Sequence, residues 1–152
     1  MMIPNVDEIL ARFLKASCNG KQLPTSRRYR QVDAQLRKYL EAAGHRFMDE
    51  DKVQLLGLEQ AYQLEGACSR IMDAEDLLYA LPDFLRHPWL MFNHWDKRTQ
   101  IAQTSRLAQW ICSQRLVDSS LVSCAMIEIR LAVDYARRGY TSDPRPSWGK
   151  PG

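Results

Sequence analysis

Apolar side chains recur along this chain at three- and four-residue spacing, and clear strand-like alternation is absent. Residues 6 to 17 place Val6, Ile9, Leu10, Phe13 and Leu14 at i, i+3, i+4, i+7 and i+8, which lines one face of an amphipathic helix. Asn5 with Glu8 three residues on has the form of a capping box, and Asn19-Gly20 supplies the stop. Pro24-Thr25-Ser26 opens a second helix that runs to about Ala43, with Tyr29, Val32, Leu36, Tyr39, Leu40 and Ala43 on one face and Gly44 as the breaker.

The acidic run Asp49-Glu50-Asp51 suits a helix start, where carboxylates face the positive end of the dipole. Val53, Leu56, Gln60, Leu64, Ala67, Cys68 and Ile71 continue at helical spacing, as one long helix or as two joined near Gly66. Asp73 with Asp76 restarts a short helix through Leu77, Leu78 and Leu81; Pro82 starts another turn or ends it, and Pro88 interrupts again. Another helix fits Asp96 to about Gln114. The last is expected to be capped by Asp118-Ser119-Ser120 and to end at Gly139. Its residues from Leu121 to Val133 are apolar on nearly every side, the pattern of a central, buried helix. The expectation is therefore an all-α protein, a single compact bundle of five to six helices over residues 1–139. The Pro/Gly-rich segment 140–152 is expected to form a mobile tail, with Trp148 available to anchor in a partner. At 45% hydrophobic and 152 residues, the chain suffices for one such core and leaves little room for a second.

Charge is segregated. Residues 1–48 carry nine Lys/Arg against four Asp/Glu, residues 49–83 two against nine, and residues 84–152 ten against five. On the second helix, Arg27, Arg30, Arg37 and Lys38 fall within about 100° of arc opposite the apolar face, and Arg28 flanks them. These five cations form the first candidate surface for a polyanion; Lys97, Arg98 and Arg106 form the second. Between His87-Pro88 and the cationic pair Lys97-Arg98 lies the most aromatic window, Trp89-Leu90-Met91-Phe92-Asn93-His94-Trp95. It reads either as a connector plugged into the core or as a platform on which bases stack while neighbouring cations neutralise phosphates.

Other chemistry has little purchase. The sequence lacks a Walker A loop, G-x-G-x-x-G, H-E-x-x-H and G-x-S-x-G, and three histidines offer few bases for work at neutral pH. The expectation is no enzyme and no cofactor. Cys18, Cys68, Cys112 and Cys124 form no C-x-x-C pair and do not space with His45, His87 or His94 as zinc ligands. They are expected to be reduced, buried thiols of a cytoplasmic protein. The start lacks a signal pattern and no apolar run is long enough to cross a membrane, so no membrane role is expected.

Two stretches carry a resemblance. Ile9-Leu10-Ala11-Arg12-Phe13-Leu14 followed by Thr25-Ser26-Arg27-Arg28-Tyr29-Arg30 and Leu36-Arg37-Lys38-Tyr39-Leu40 resembles the helical core-binding domain of tyrosine recombinases. Ser105-Arg106-Leu107-Ala108-Gln109-Trp110-Ile111 with Arg115-Leu116-Val117-Asp118 is similar to the last helix of that domain. Together they span about a third of the chain. The family's catalytic Arg, His and Tyr domain has no counterpart in these residues, so the resemblance implies backbone-level DNA contact through Arg27, Arg28 and Arg30 without strand cleavage. In architecture alone the chain is similar to the helical small subunits of CRISPR effector complexes. The expected function is a non-catalytic protein that binds the backbone of DNA or RNA within a larger assembly of other subunits or copies of itself. The alternative is a protein-interaction module that uses the acidic segment 49–83 or the Trp-bearing tail.

Overall fold

A computed structural model describes residues 3–139. Seven α-helices and one 3-10 turn follow in order: α1 (Val6–Cys18), α2 (Leu23–Ala43), the turn Gly44–Phe47, α3 (Glu50–Tyr62), α4 (Ala67–Ile71), α5 (Ala74–Phe84), α6 (His94–Ser113) and α7 (Ser123–Arg138). No strand occurs among the described residues. The expected mobile tail 140–152, Trp148 included, lies outside them.

The expected caps at Asn5 and Asp73 form. Asn5 Oδ1 accepts from the Glu8 amide at 2.9 Å while Glu8 Oε1 accepts from the Asn5 amide at 3.2 Å, and the Val6 amide donates to the Met72 carbonyl at 2.9 Å. Two otherwise unpaired helix-start donors are thus satisfied locally, and a third ties α1 to the end of α4. Of the two alternatives for residues 49–72, the chain takes two helices: Gly66 turns at φ +76°, a left-handed conformation that disfavours a Cβ. Asp73 and Asp76 cap α5 reciprocally at 2.9 and 3.2 Å, and Lys52 Nζ reaches across from α3 to both, at 2.8 and 2.6 Å. Burial works against the Lys52 ammonium, but these two hydrogen-bonded carboxylates outweigh it and hold its pKa above the ordinary value.

The helix at the centre is α5. Leu77, Leu78, Ala80, Leu81 and Phe84 are fully buried, and α5 touches α1, α2, α6 and α7. Tyr39 of α2 packs beside Phe84 and Trp89 with ring centroids 5.5 and 5.3 Å apart, and its hydroxyl donates to the Ala80 carbonyl at 2.6 Å. The central position expected for α7 is not observed. Ala125, Ile129, Ala132, Val133 and Ala136 form its buried stripe against α5 and α6, whereas Ile127, Leu131 and Tyr135 face outward. Three alanines with Ile129 and Val133 make up the inner face, and Ile127, Leu131 and Tyr135 are left on the other. Its start also differs: Asp118 accepts from the amide and hydroxyl of Ser120 at 3.0 and 2.7 Å, so it caps a local turn, and α7 begins at Ser123 after Val122.

All four cysteines are free, but only Cys68 is buried; Cys18 and Cys112 are half-buried and Cys124 is exposed. Burial, with Glu41 nearby, pushes the Cys68 thiol up to about 11. No described helix is long and apolar enough to cross a membrane.

Candidate nucleic-acid interface

The connection between α5 and α6 carries the aromatic window and is fixed by one buried side chain. Gln100 of α6 is fully buried; its Nε2 donates to the Phe84 and Trp89 carbonyls at 3.1 and 3.2 Å, and its Oε1 accepts from the Met91 amide at 2.9 Å. Phe84 needs that donor because the residue four places on is Pro88, which has no amide hydrogen. Gln35 of α2 adds a second bond to the Trp89 carbonyl at 3.0 Å. Asn93 then caps α6, accepting from the amides of Trp95 and Asp96 at 3.0 and 3.2 Å.

These anchors divide the window. Trp89, Leu90 and Met91 pack against the core, as the connector reading expected of them. Phe92 and Trp95 do not: they are 92% and 53% exposed.

Trp95 stands at the mouth of a groove between α2 and α6. Arg28 and Arg98 hold their guanidinium carbons 5.8 and 5.5 Å from its ring centroid, and Arg106 lines the same groove with Thr25, Tyr29 and Thr99. The groove encloses about 290 Å³. Three arginines line it and no carboxylate does. Arg106 donates to Gln103 Oε1 at 2.8 Å, a neutral partner that leaves its charge uncompensated. Three cations beside one exposed indole suit an anion together with a flat ring.

The first candidate surface divides three ways. Arg28 turns toward α6 and joins Arg98 and Arg106, merging part of the first surface with part of the second. Arg27 and Lys38 point outward and are exposed. Arg30 turns toward α1, where it lines a second groove with Arg12, Lys15 and Arg37.

Arg37 is not the solvent-facing cation that its place on the arc implies. Its Nη1 donates to Asp7 at 2.6 Å and its Nε to Asp33 at 3.0 Å, and a further bond reaches the Asp7 carbonyl at 3.3 Å. Burial works against this guanidinium, but its two carboxylates outweigh that and raise its pKa. Asp33, in turn, is raised by its own burial although Arg37 opposes it. This is an internal tie between α1 and α2.

Lys97 also departs from its expected surface. One residue from Arg98 is 100° around a helix, and Lys97 accordingly lines a different groove, with Arg86, Leu131 and Tyr135 toward α7. Arg12 and Lys15 were missed because the sequence reading followed single helices. A count across elements finds them: residues 9–32 hold six Lys/Arg and no Asp/Glu, and residues 97–117 hold four and none.

No protein-family model, curated protein or solved structure matches the chain. Between α1, α2 and α6 a cavity lined by Leu10, Phe13, Val32 and Leu107 encloses about 20 Å³, room for about one water and not for a small-molecule ligand. Among the described residues no three His, Cys, Asp or Glu side chains converge as a metal site.

Proposed function

We propose that this chain is a non-catalytic, cytoplasmic nucleic-acid-binding protein that grips the phosphate backbone with the end of the bundle built from α1, α2 and α6. The observation that carries the reading is the meeting of Arg28, Arg98 and Arg106 in one groove without a lining carboxylate. Arg12, Lys15 and Arg30 extend the positive surface across the adjoining α1–α2 groove, and Arg27 projects between the two. Backbone contact through Arg27, Arg28 and Arg30 is also what the recombinase-like stretch implies. Such a surface neutralises phosphates and releases counterions, so affinity falls steeply with salt and depends weakly on sequence. The test is fluorescence anisotropy of labelled oligonucleotides with the wild type, with Arg28→Gln/Arg98→Gln/Arg106→Gln, and with Arg37→Gln. The triple variant loses most of the affinity and Arg37→Gln keeps it. Equal binding by the wild type and the triple variant refutes the assignment.

A second observation favours membership of an assembly. On α3 only Leu56 is buried, while Leu58, Tyr62 and the following Leu64 are 71%, 86% and 71% exposed. Glu50, Asp51 and Glu65, all exposed, flank that apolar stretch in sequence. An acidic-rimmed apolar helix face fits a basic amphipathic segment of another subunit, which is the form the protein-interaction alternative takes here. Leu58→Glu with Tyr62→Glu removes the apolar stripe without touching the core; a stoichiometric, nuclease-resistant complex that survives this change contradicts the α3 reading.

A further inference from the structure

Phe92 and Trp95 are rings held outside the core by anchored backbone on both sides. The Met91 amide is bonded to Gln100 and Asn93 caps α6, so the segment between them has little freedom to turn Phe92 inward. Trp95 sits in the first turn of α6, its carbonyl accepting from the Thr99 hydroxyl at 2.9 Å, and His94 packs edge-on against it at 5.3 Å between centroids. Arg28 and Arg98 lie over the indole. Guanidiniums so placed can stack with a ring and bond a phosphate at once.

A duplex has no use for such a site, because its bases are stacked on one another and its backbone alone is presented. A strand with unpaired bases offers π-faces with phosphates between them, and an exposed ring beside two guanidiniums, Trp95 with Arg28 and Arg98, is complementary to that pairing. We infer that Trp95 with Phe92 is a stacking platform for unpaired bases, and that the ligand of the α2–α6 groove is a single-stranded nucleic acid. This rests on the phosphate-binding reading of the same groove and adds the strand class.

Four labelled probes of equal length separate the two: a dT 20-mer, an rU 20-mer, a 20-base-pair duplex, and a 20-unit abasic strand with phosphates and sugars but no bases. The platform predicts that the two base-bearing single strands bind about tenfold or more tighter than the abasic strand, on the scale of one stacked base. Trp95→Ala should erase that margin by weakening the base-bearing strands more than the abasic strand or the duplex, and Phe92→Ala, at a fully exposed position, should narrow it. Comparison of the dT and rU arms assigns the sugar. Equal affinity of the wild type for dT and abasic strands overturns the platform and leaves phosphate binding standing. So does a Trp95→Ala loss that is the same for both probes, since it would mean that the ring only positions Arg28 and Arg98. No binding of any probe at about 50 mM salt overturns the platform and the phosphate reading together.

Discussion

Replacing Gln100 with Leu should destabilise the protein severely although it puts an apolar side chain of similar size into a buried site. Gln100 serves three backbone groups, the Phe84 and Trp89 carbonyls and the Met91 amide. After the change Trp89 keeps the bond from Gln35, whereas the Phe84 carbonyl and the Met91 amide lose the partners described for them. A buried group left unpaired costs about 1–3 kcal/mol, so two cost about 2–6 kcal/mol, a large share of the roughly 5–15 kcal/mol that holds a domain of this size together. Urea unfolding followed by circular dichroism reads the change, with Gln109→Leu on the exposed side of the same helix as control. Hydrogen exchange adds a local reading: the Met91 amide should lose its protection first. A loss below about 0.5 kcal/mol, the scale of an ordinary surface substitution, would refute the claim that this side chain pins the segment bearing Phe92 and Trp95.

Other consequences are independent of that one. Arg37→Gln should lower stability by about 1–3 kcal/mol, because Asp33 is left half-buried without its cation, yet leave oligonucleotide affinity within twofold; urea midpoints and anisotropy check the two halves. Gly66→Ala should cost about 1–2 kcal/mol by forcing a Cβ into the left-handed region, with Arg70 Nη1 only 2.9 Å from where it would sit; thermal unfolding measures it, and Gly57→Ala, where a Cβ meets nothing, should not destabilise. Burial tends to raise the Asp73 pKa, but the Asp76 amide and Lys52 outweigh it and hold it below the usual value. A carboxylate lowered on folding contributes stability that is present above its unfolded pKa and is lost as pH falls through the folded one. Lys52→Met therefore moves the acid loss of stability to higher pH, as measured by denaturation at a series of pH values. An unmoved acid limb would show that Lys52 does not govern Asp73.

The elements legible in the sequence are those whose causes are local. Asn5 with Glu8 and Asp73 with Asp76 cap helices because partner and cap lie three residues apart, and the apolar stripes of α1 and α2 bury the residues that their spacing selects. What escaped depends on distant partners. Within the run from Arg27 to Lys38 only Asp33, four residues before Arg37, marks that arginine as paired; its second tie, to Asp7 thirty residues away, and the meeting of Arg28 with Trp95 are set by packing between elements. Asp118 has the composition of a cap, but Ser120 takes its carboxylate first. In α7 the number of apolar residues suggests burial on every side, whereas only the face of Ala125, Ile129, Ala132, Val133 and Ala136 meets α5 and α6. The site was half legible: Arg28, Arg98 and Arg106 were named, but on two separate surfaces, because only the packing of α2 on α6 makes them one.

The central claim is that three groove arginines act on phosphates, and the salt dependence of single-strand affinity tests it most directly. The anisotropy titration is made at several salt concentrations between about 50 and 200 mM, where each neutralised phosphate of a single strand contributes about −0.7 to the slope of log K against log salt. The account predicts a wild-type slope near −2 or steeper, and a slope flatter by about 2 in Arg28→Gln/Arg98→Gln/Arg106→Gln. A wild-type slope near zero, or the same slope in both proteins, contradicts it.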